Sequence, residues 1–103
     1  MFDFFTKVPE ISVTELRKKL LTEKIKLIDV REPYEYNTGH IKQAKNIPLT
    51  HISEFKDDPK QTIYVICQSG HRSKRATQFL NRKGYKAISV ENGMNGWHGK
   101  TIQ

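Results

Sequence analysis

Apolar positions along the chain alternate between short β-branched runs and stretches with helical spacing. The runs predict five strands, at residues 11–13, 26–31, 44–48, 62–66 and 85–91. Leu16, Leu20 and Leu21 recur at the spacing of a helix, which Ser12 or Thr14 could cap. Helices are also predicted at residues 33–36, around 52–55, and from the polar loop after residue 67 to about 83.

Strands that alternate with helices favour the α/β class. Right-handed crossovers then give a mainly parallel sheet with helices on both faces. The run at residues 62–66 is the most apolar, so we expect it to be the central strand. Ligands of such sheets bind beyond the carboxyl ends of the strands. Cys67 follows the central run directly and therefore falls at that edge.

Cys67 is the single cysteine of the chain and begins a polar loop, Cys67-Gln68-Ser69-Gly70-His71-Arg72-Ser73. A lone cysteine is often a small buried hydrophobe. Here the strand end, the basic loop and the start of a helix together favour a reactive thiol, because free N–H groups and the helix dipole stabilise an anion. The thiolate is the form that attacks sulfur, phosphorus or arsenic centres. No acidic residue is close to Cys67 in sequence.

Composition limits the partners. The 103 residues carry a net charge of +7, from 18 Lys and Arg against 11 Asp and Glu, which attracts anions. The basic residues are scattered and no nucleic-acid motif is present, so we expect no nucleic-acid binding. No apolar run could span a bilayer, and Asp3 interrupts the opening phenylalanines, so we expect no leader and no membrane contact. With one cysteine and no internal disulfide, the expected location is cytoplasmic.

Three segments carry a family resemblance. The first spans residues 28–36 and continues through Gly39-His40-Ile41 to 44–48, the second is the loop at 67–73, and the third is residues 93–97. In this order and spacing they resemble a rhodanese domain over nearly the whole chain, residues 1–103. The resemblance implies a three-layer fold and a thiosulfate sulfurtransferase. Its cysteine takes a sulfane sulfur from a donor such as thiosulfate, holds it as a persulfide, and passes it to cyanide, a cellular thiol or a thiol protein.

The resemblance assigns roles to individual side chains. Cys67 would carry the sulfur, and the loop would bind the substrate through residues Gln68, Ser69, Gly70, His71 and Arg72. Arg72 can offer bidentate contacts to a sulfonate. His71 either adds charge below about pH 6.5 or is an exposed loop side chain. Ser73 would tie the loop to its helix. Asp29 and Arg31 either form a buried ion pair that holds the loop, which we favour, or reach the substrate. No metal or cofactor is expected, since His40 lacks partners at ligand spacing.

Three other functions stay open. A thiolate phosphatase or arsenate reductase would use the same fold, but those families place arginine six positions after the cysteine, whereas Arg72 is five positions after Cys67. The shorter loop suits a single sulfur atom better than a tetrahedral oxyanion. A non-enzymatic binding module usually lacks the cysteine, which this chain keeps. A persulfide carrier with protein donors and acceptors fits the sequence as well as small-molecule transfer does.

Overall fold

The structure is a computed structural model that describes residues 7–103, and its centre is a five-stranded, all-parallel sheet. The strands lie in the order β1-β5-β4-β2-β3. Their bounds are Glu10–Ile11 for β1, Lys26–Asp29 for β2, Ala44–Asn46 for β3, Thr62–Ile66 for β4 and Lys86–Val90 for β5. The predicted α/β class and the central position of β4 are confirmed. The opening phenylalanines considered for a leader lie outside the described residues.

Within residues 7–103, three α-helices and one 3-10 helix connect the strands, and a second 3-10 helix follows β5. The α-helices are α1 at Val13–Thr22, α2 at Pro33–Tyr36 and α3 at His71–Arg82, and the 3-10 helices span Leu49–Glu54 and Gly93–Gly96. The first strand was predicted at residues 11–13, which is wrong in extent. The Ser12 side chain accepts the Glu15 N–H at 3.0 Å and caps α1, so Val13 already belongs to the helix.

The two faces of the sheet are covered by different helices. Alternate residues of β4 point to opposite faces, with Ile63 and Val65 in one apolar cluster and Tyr64 and Ile66 in the other. The first cluster includes Ala76 and Leu80 of α3 and Ile52 of the 3-10 helix. The second includes Leu16 of α1. Helices therefore cover both faces, which gives the three layers that the resemblance implies.

Parallel pairing brings the carboxyl ends of all five strands to one edge of the sheet. The loop after β4 therefore lies at that edge. Asp29 at the end of β2 is paired in register with Ile66 at the end of β4, so Val30 and Cys67 emerge side by side and Arg31 follows beside Gln68. Among residues 7–103, no helix has the length and apolar character needed to cross a membrane.

Candidate active site

Cys67 lies directly between the end of β4 and the loop that leads into α3. Its Sγ accepts a hydrogen bond from the Gly70 N–H at 3.0 Å and another from the Ser73 N–H at 3.3 Å. The residue is fully buried beneath the loop. Two backbone donors that converge on one sulfur at the start of a twelve-residue helix make a setting that stabilises negative charge there.

The curl of the loop depends on Gly70 and Ser73. Gly70 has a φ of +107°, a left-handed conformation that strains any residue with a Cβ. The Ser73 hydroxyl donates to the Gly70 carbonyl at 3.1 Å and also lies 2.8 Å from the Ser89 hydroxyl on β5. The loop is thereby attached both to its own helix and to the neighbouring strand.

The segment after β5 is hydrogen-bonded to the first two residues of the loop. The Met94 N–H donates to the Cys67 carbonyl at 2.8 Å, and the Asn95 N–H donates to the Gln68 carbonyl at 2.9 Å. A Cβ on Gly93 would lie 2.2 Å from the Cys67 carbonyl oxygen, so only glycine permits this approach. The third segment of the resemblance therefore contacts the backbone of Cys67 itself. Sequence reasoning gave it no such role, because these contacts join residues far apart in the chain.

Asp29 and Arg31 form the buried ion pair that we favoured. The guanidinium contacts both Asp29 oxygens at 2.9–3.1 Å, and Arg31 is only 3% exposed. Its remaining donors reach the Gly39 carbonyl at 2.9 Å and the Gln68 side-chain oxygen at 3.1 Å. Gln68 in turn donates to the Asn95 side chain at 2.7 Å. Arg31 therefore links the end of β2 to the side of the loop.

Arg72 has a partner that sequence reasoning missed. Its two terminal nitrogens donate to the two Glu35 carboxylate oxygens at 2.6 and 2.9 Å. The hydrogen bond from Arg72, helped by the Glu32 N–H, lowers the pKa of Glu35 from 4.5 to about 2. The pKa of Arg72 is raised above its usual value, mainly by the same hydrogen bond and further by the negative charges of Glu35 and Cys67. Glu35 stands in the first segment of the resemblance, but no local signal links it to a residue 37 positions away.

Two loop residues of the predicted set face outward. Ser69 and His71 are exposed, and the Ser69 hydroxyl lies 3.2 Å from the His71 ring nitrogen. His40 is buried, stacks on Tyr36 at 3.6 Å and contacts its carbonyl, so its role in this structure is in packing. Within residues 7–103, no group of three or more His, Cys, Asp or Glu side chains is arranged to hold a metal ion.

Comparison with known proteins agrees with this architecture. The chain matches the family model described as "Rhodanese-like domain" over residues 12–100. It is 38% identical over 98 residues to "Putative sulfurtransferase YtwF" of Bacillus subtilis, with 92% of this chain and 95% of that protein covered. It is 36% identical over 100 residues to "Putative sulfur carrier protein YrkF" of the same organism, with 93% of this chain covered but only 54% of that longer protein.

A solved structure has the same fold as this chain. The crystal structure of a rhodanese-like domain protein from Staphylococcus aureus superimposes with a TM-score of 0.84 at 33% identity, covering 88% of this chain and 92% of that one. The family model covers most of the chain, and the loop that follows β4 stands where the parallel sheet places its ligand edge. On this evidence the chain belongs to the rhodanese family.

Proposed function

We propose that this protein is a thiosulfate sulfurtransferase that moves a sulfane sulfur through a persulfide on Cys67. The observation that carries the proposal is the position of the Cys67 Sγ, 3.0 and 3.3 Å from the Gly70 and Ser73 nitrogens at the start of α3. Membership of the rhodanese family and the printed names of the two Bacillus subtilis relatives support sulfur transfer in general. Thiosulfate as donor and residues 1–103 as one functional domain are part of the proposal.

In the first half-reaction, the Cys67 thiolate attacks the outer sulfur of thiosulfate. A sulfur–sulfur bond forms to Cys67 as the bond to the sulfonate sulfur breaks, and sulfite leaves with the electron pair. The product is a Cys67 persulfide whose outer sulfur carries the negative charge. The loop N–H groups that approach Sγ are the donors that would stabilise this charge.

In the second half-reaction, a thiophile attacks the outer sulfur. The acceptor is cyanide, a cellular thiolate or the thiolate of a protein. The new bond forms to the acceptor, the bond to Cys67 breaks, and its electron pair returns to Cys67 as thiolate. No metal or cofactor takes part in this scheme. A thiol that must stay reduced between turnovers suits the cytoplasm.

The loop side chains divide into two proposed groups. Gln68, Ser69, Gly70, His71 and Arg72 would bind the donor, and Arg72 suits the sulfonate because its guanidinium is planar and one third exposed. Ser73, Asp29 and Arg31 would support the loop, and the hydrogen bonds of Ser73 to Gly70 and of Arg31 to Gln68 support this part of the proposal.

A persulfide carrier that works between proteins is the second candidate. It is favoured by the name of the longer relative, which calls that protein a sulfur carrier. Phosphatase or arsenate reductase activity is disfavoured by the five-residue step from Cys67 to Arg72.

Mass spectrometry of the intact protein tests the mechanism. Incubation with thiosulfate should add one sulfur, about 32 daltons, and cyanide should remove it, because the thiolate is the nucleophile. Cys67→Ser should lose both the adduct and turnover, while Lys60→Ala, a change at an exposed lysine outside the loop, should keep both. Turnover at the wild-type rate in Cys67→Ser would contradict the proposal. Loading by thiosulfate with discharge only to a protein thiol would favour the carrier.

A further inference from the structure

A second concave surface lies away from Cys67, between the last turn of α1, the residues before β3 and residues 97–102. It is a groove of about 400 Å³ whose apolar walls are Leu20, Leu21, Trp97 and Ile102. Leu21 is 78% exposed and Ile102 is 44% exposed. Of the residues that the structure describes, only one other large hydrophobe, Tyr34, is comparably exposed. Single exposed leucines are ordinary, but a concave cluster marks a binding surface.

The rim of this groove is basic and uncompensated. Arg17, Lys42 and Lys100 line it, and no acidic residue does. All three are exposed, and none forms an ion pair within residues 7–103. Their neighbours Lys18 and Lys19 on α1 differ, because each is within 4.0 Å of a glutamate. Within residues 7–103, no acidic side chain therefore neutralises the positive charge around the apolar walls.

The topology separates the groove from the sulfur site. α1 begins just after β1, at the carboxyl edge of the sheet, and runs back so that Leu20 and Leu21 lie toward the amino edge. Lys42 precedes β3 and therefore lies toward the same amino edge. Cys67 follows β4 at the opposite edge. A ligand in the groove and a sulfur donor at Cys67 can consequently be bound at the same time.

We propose that this groove docks an acidic segment of a partner protein. One or two apolar side chains of the segment enter between Leu21 and Trp97, and flanking Asp or Glu side chains meet the cationic rim. A second copy of this chain is a poor occupant, because it carries a net charge of +7 and would bring like charge to the contact. A concave wall also fits one inserted side chain better than it fits the flat surface of a bilayer.

The chain contains its own reporter for the test, since Trp97 is its single tryptophan and lines the groove. The probe is a blocked synthetic peptide with the sequence Glu-Glu-Leu-Phe-Glu-Glu-Leu-Glu. Titration should shift the Trp97 emission saturably. Peptides with Lys in place of Glu, or Ser in place of the apolar residues, should not. Higher salt should weaken binding, because the rim charges are exposed.

Variants locate the contact. Lys42→Glu and Lys100→Glu should each weaken binding at least about threefold, as reversal of an exposed charge pair predicts. Leu21→Ser should weaken it too. The matched control Lys60→Glu alters an equally exposed lysine outside the groove and should leave binding unchanged. Thermal unfolding should show that all four variants stay folded.

Several outcomes would overturn the proposal. The first is a Trp97 emission shift that is absent or does not saturate with peptide, and the second is an equal loss of binding in Lys60→Glu. The third is a shift produced by phosphatidylserine vesicles but not by the peptide. The fourth is a concentration-dependent dimer in sedimentation that Lys42→Glu strengthens. Sulfur loading of Cys67 is measured on the same samples and should not change. The docking proposal and the sulfurtransferase proposal can therefore fail independently.

Discussion

One arginine of the Cys67 loop, Arg72, and one that contacts the loop, Arg31, both form ion pairs with a carboxylate, yet their surroundings differ. Arg31 is 3% exposed and, besides Asp29, donates to the Gly39 carbonyl and the Gln68 side chain. Arg72 has its side chain 33% exposed, and Glu35 is the partner of both its terminal nitrogens. One guanidinium is enclosed by fixed protein acceptors, and the other is accessible to solvent.

This difference separates a structural cation from one that can exchange partners. Removing the Arg31 side chain leaves the buried Asp29 carboxylate with only the backbone N–H of residue 31 as a donor, and it removes the Arg31 donor from the Gln68 side-chain oxygen. This costs far more than the pair's net contribution. Arg72 can give up one carboxylate oxygen for an incoming anion, because its side chain is accessible to solvent. The proposed binding of thiosulfate requires such an exchange. Ion pairing alone therefore does not distinguish the two arginines, whereas exposure and the number of fixed acceptors do, and these make Arg72 the candidate for the proposed substrate contact.

The largest expected effect is that of Arg31→Ala on stability. Breaking a buried pair from one side should lower the free energy of unfolding by about 3–5 kcal/mol. The control is Lys26→Ala, which removes the partly exposed Lys26–Asp57 pair at the start of β2 and should cost no more than about 1 kcal/mol. Urea denaturation measures both. If the two variants lose similar stability, the distinction between the arginines is wrong.

Arg72→Ala should act on substrate affinity. The sulfonate of thiosulfate and the leaving sulfite are both anions, so the contact persists from the bound state to the transition state and changes KM more than kcat. One charge-assisted contact is worth about 1.5–3 kcal/mol, roughly ten- to a hundredfold in kcat/KM. Steady-state kinetics at two salt concentrations check this, and the effect should shrink at high salt. A collapse of kcat at constant KM would instead make Arg72 a determinant of loop shape.

Glu35→Gln should change the KM for thiosulfate in the direction opposite to that expected for Arg72→Ala. The substitution keeps the side-chain size but removes the anion that competes with substrate for Arg72. The KM for thiosulfate should therefore fall about two- to fivefold, as expected for a partly exposed ion pair. The Asp29→Asn variant is the comparison. Because its partner Arg31 is only 3% exposed, the KM of this variant for thiosulfate should not fall. An increase of KM in Glu35→Gln would show that Glu35 positions Arg72 for binding.

The smallest expected effect is a change with pH in the free energy of unfolding. Glu35 has a pKa of about 2 in the folded protein against 4.5 when unperturbed, so its ionised form is favoured by folding. The stability that it contributes is complete above pH 4.5 and declines as the pH falls toward 2. The difference in free energy of unfolding between wild type and Glu35→Gln should therefore narrow across this range. A constant difference from pH 6 to 2 would contradict the assigned role of the pair.

The sequence was informative wherever a signal is local. Apolar spacing located the strands, and the strand–loop–helix order placed Cys67 at the carboxyl edge. Ser12 shows the limit of this approach, because its cap moved Val13 from a predicted strand into α1. The Glu35–Arg72 pair and the Met94 contact with Cys67 were missed, since each depends on packing between distant segments. Such contacts leave no periodic or local pattern in a single sequence.

The support of Cys67 by the segment after β5 has a consequence for synthesis on the ribosome. The Gln68–Asn95 contact joins residues 27 positions apart, so the loop gains this support only after that much more chain has been made. At about 5–20 residues per second, the interval is roughly one to five seconds. The thiol therefore lacks the enclosure of the finished fold until residues 93–97 have also left the ribosome and docked against it. Oxidants and electrophiles can therefore reach Cys67 most readily before the protein is complete.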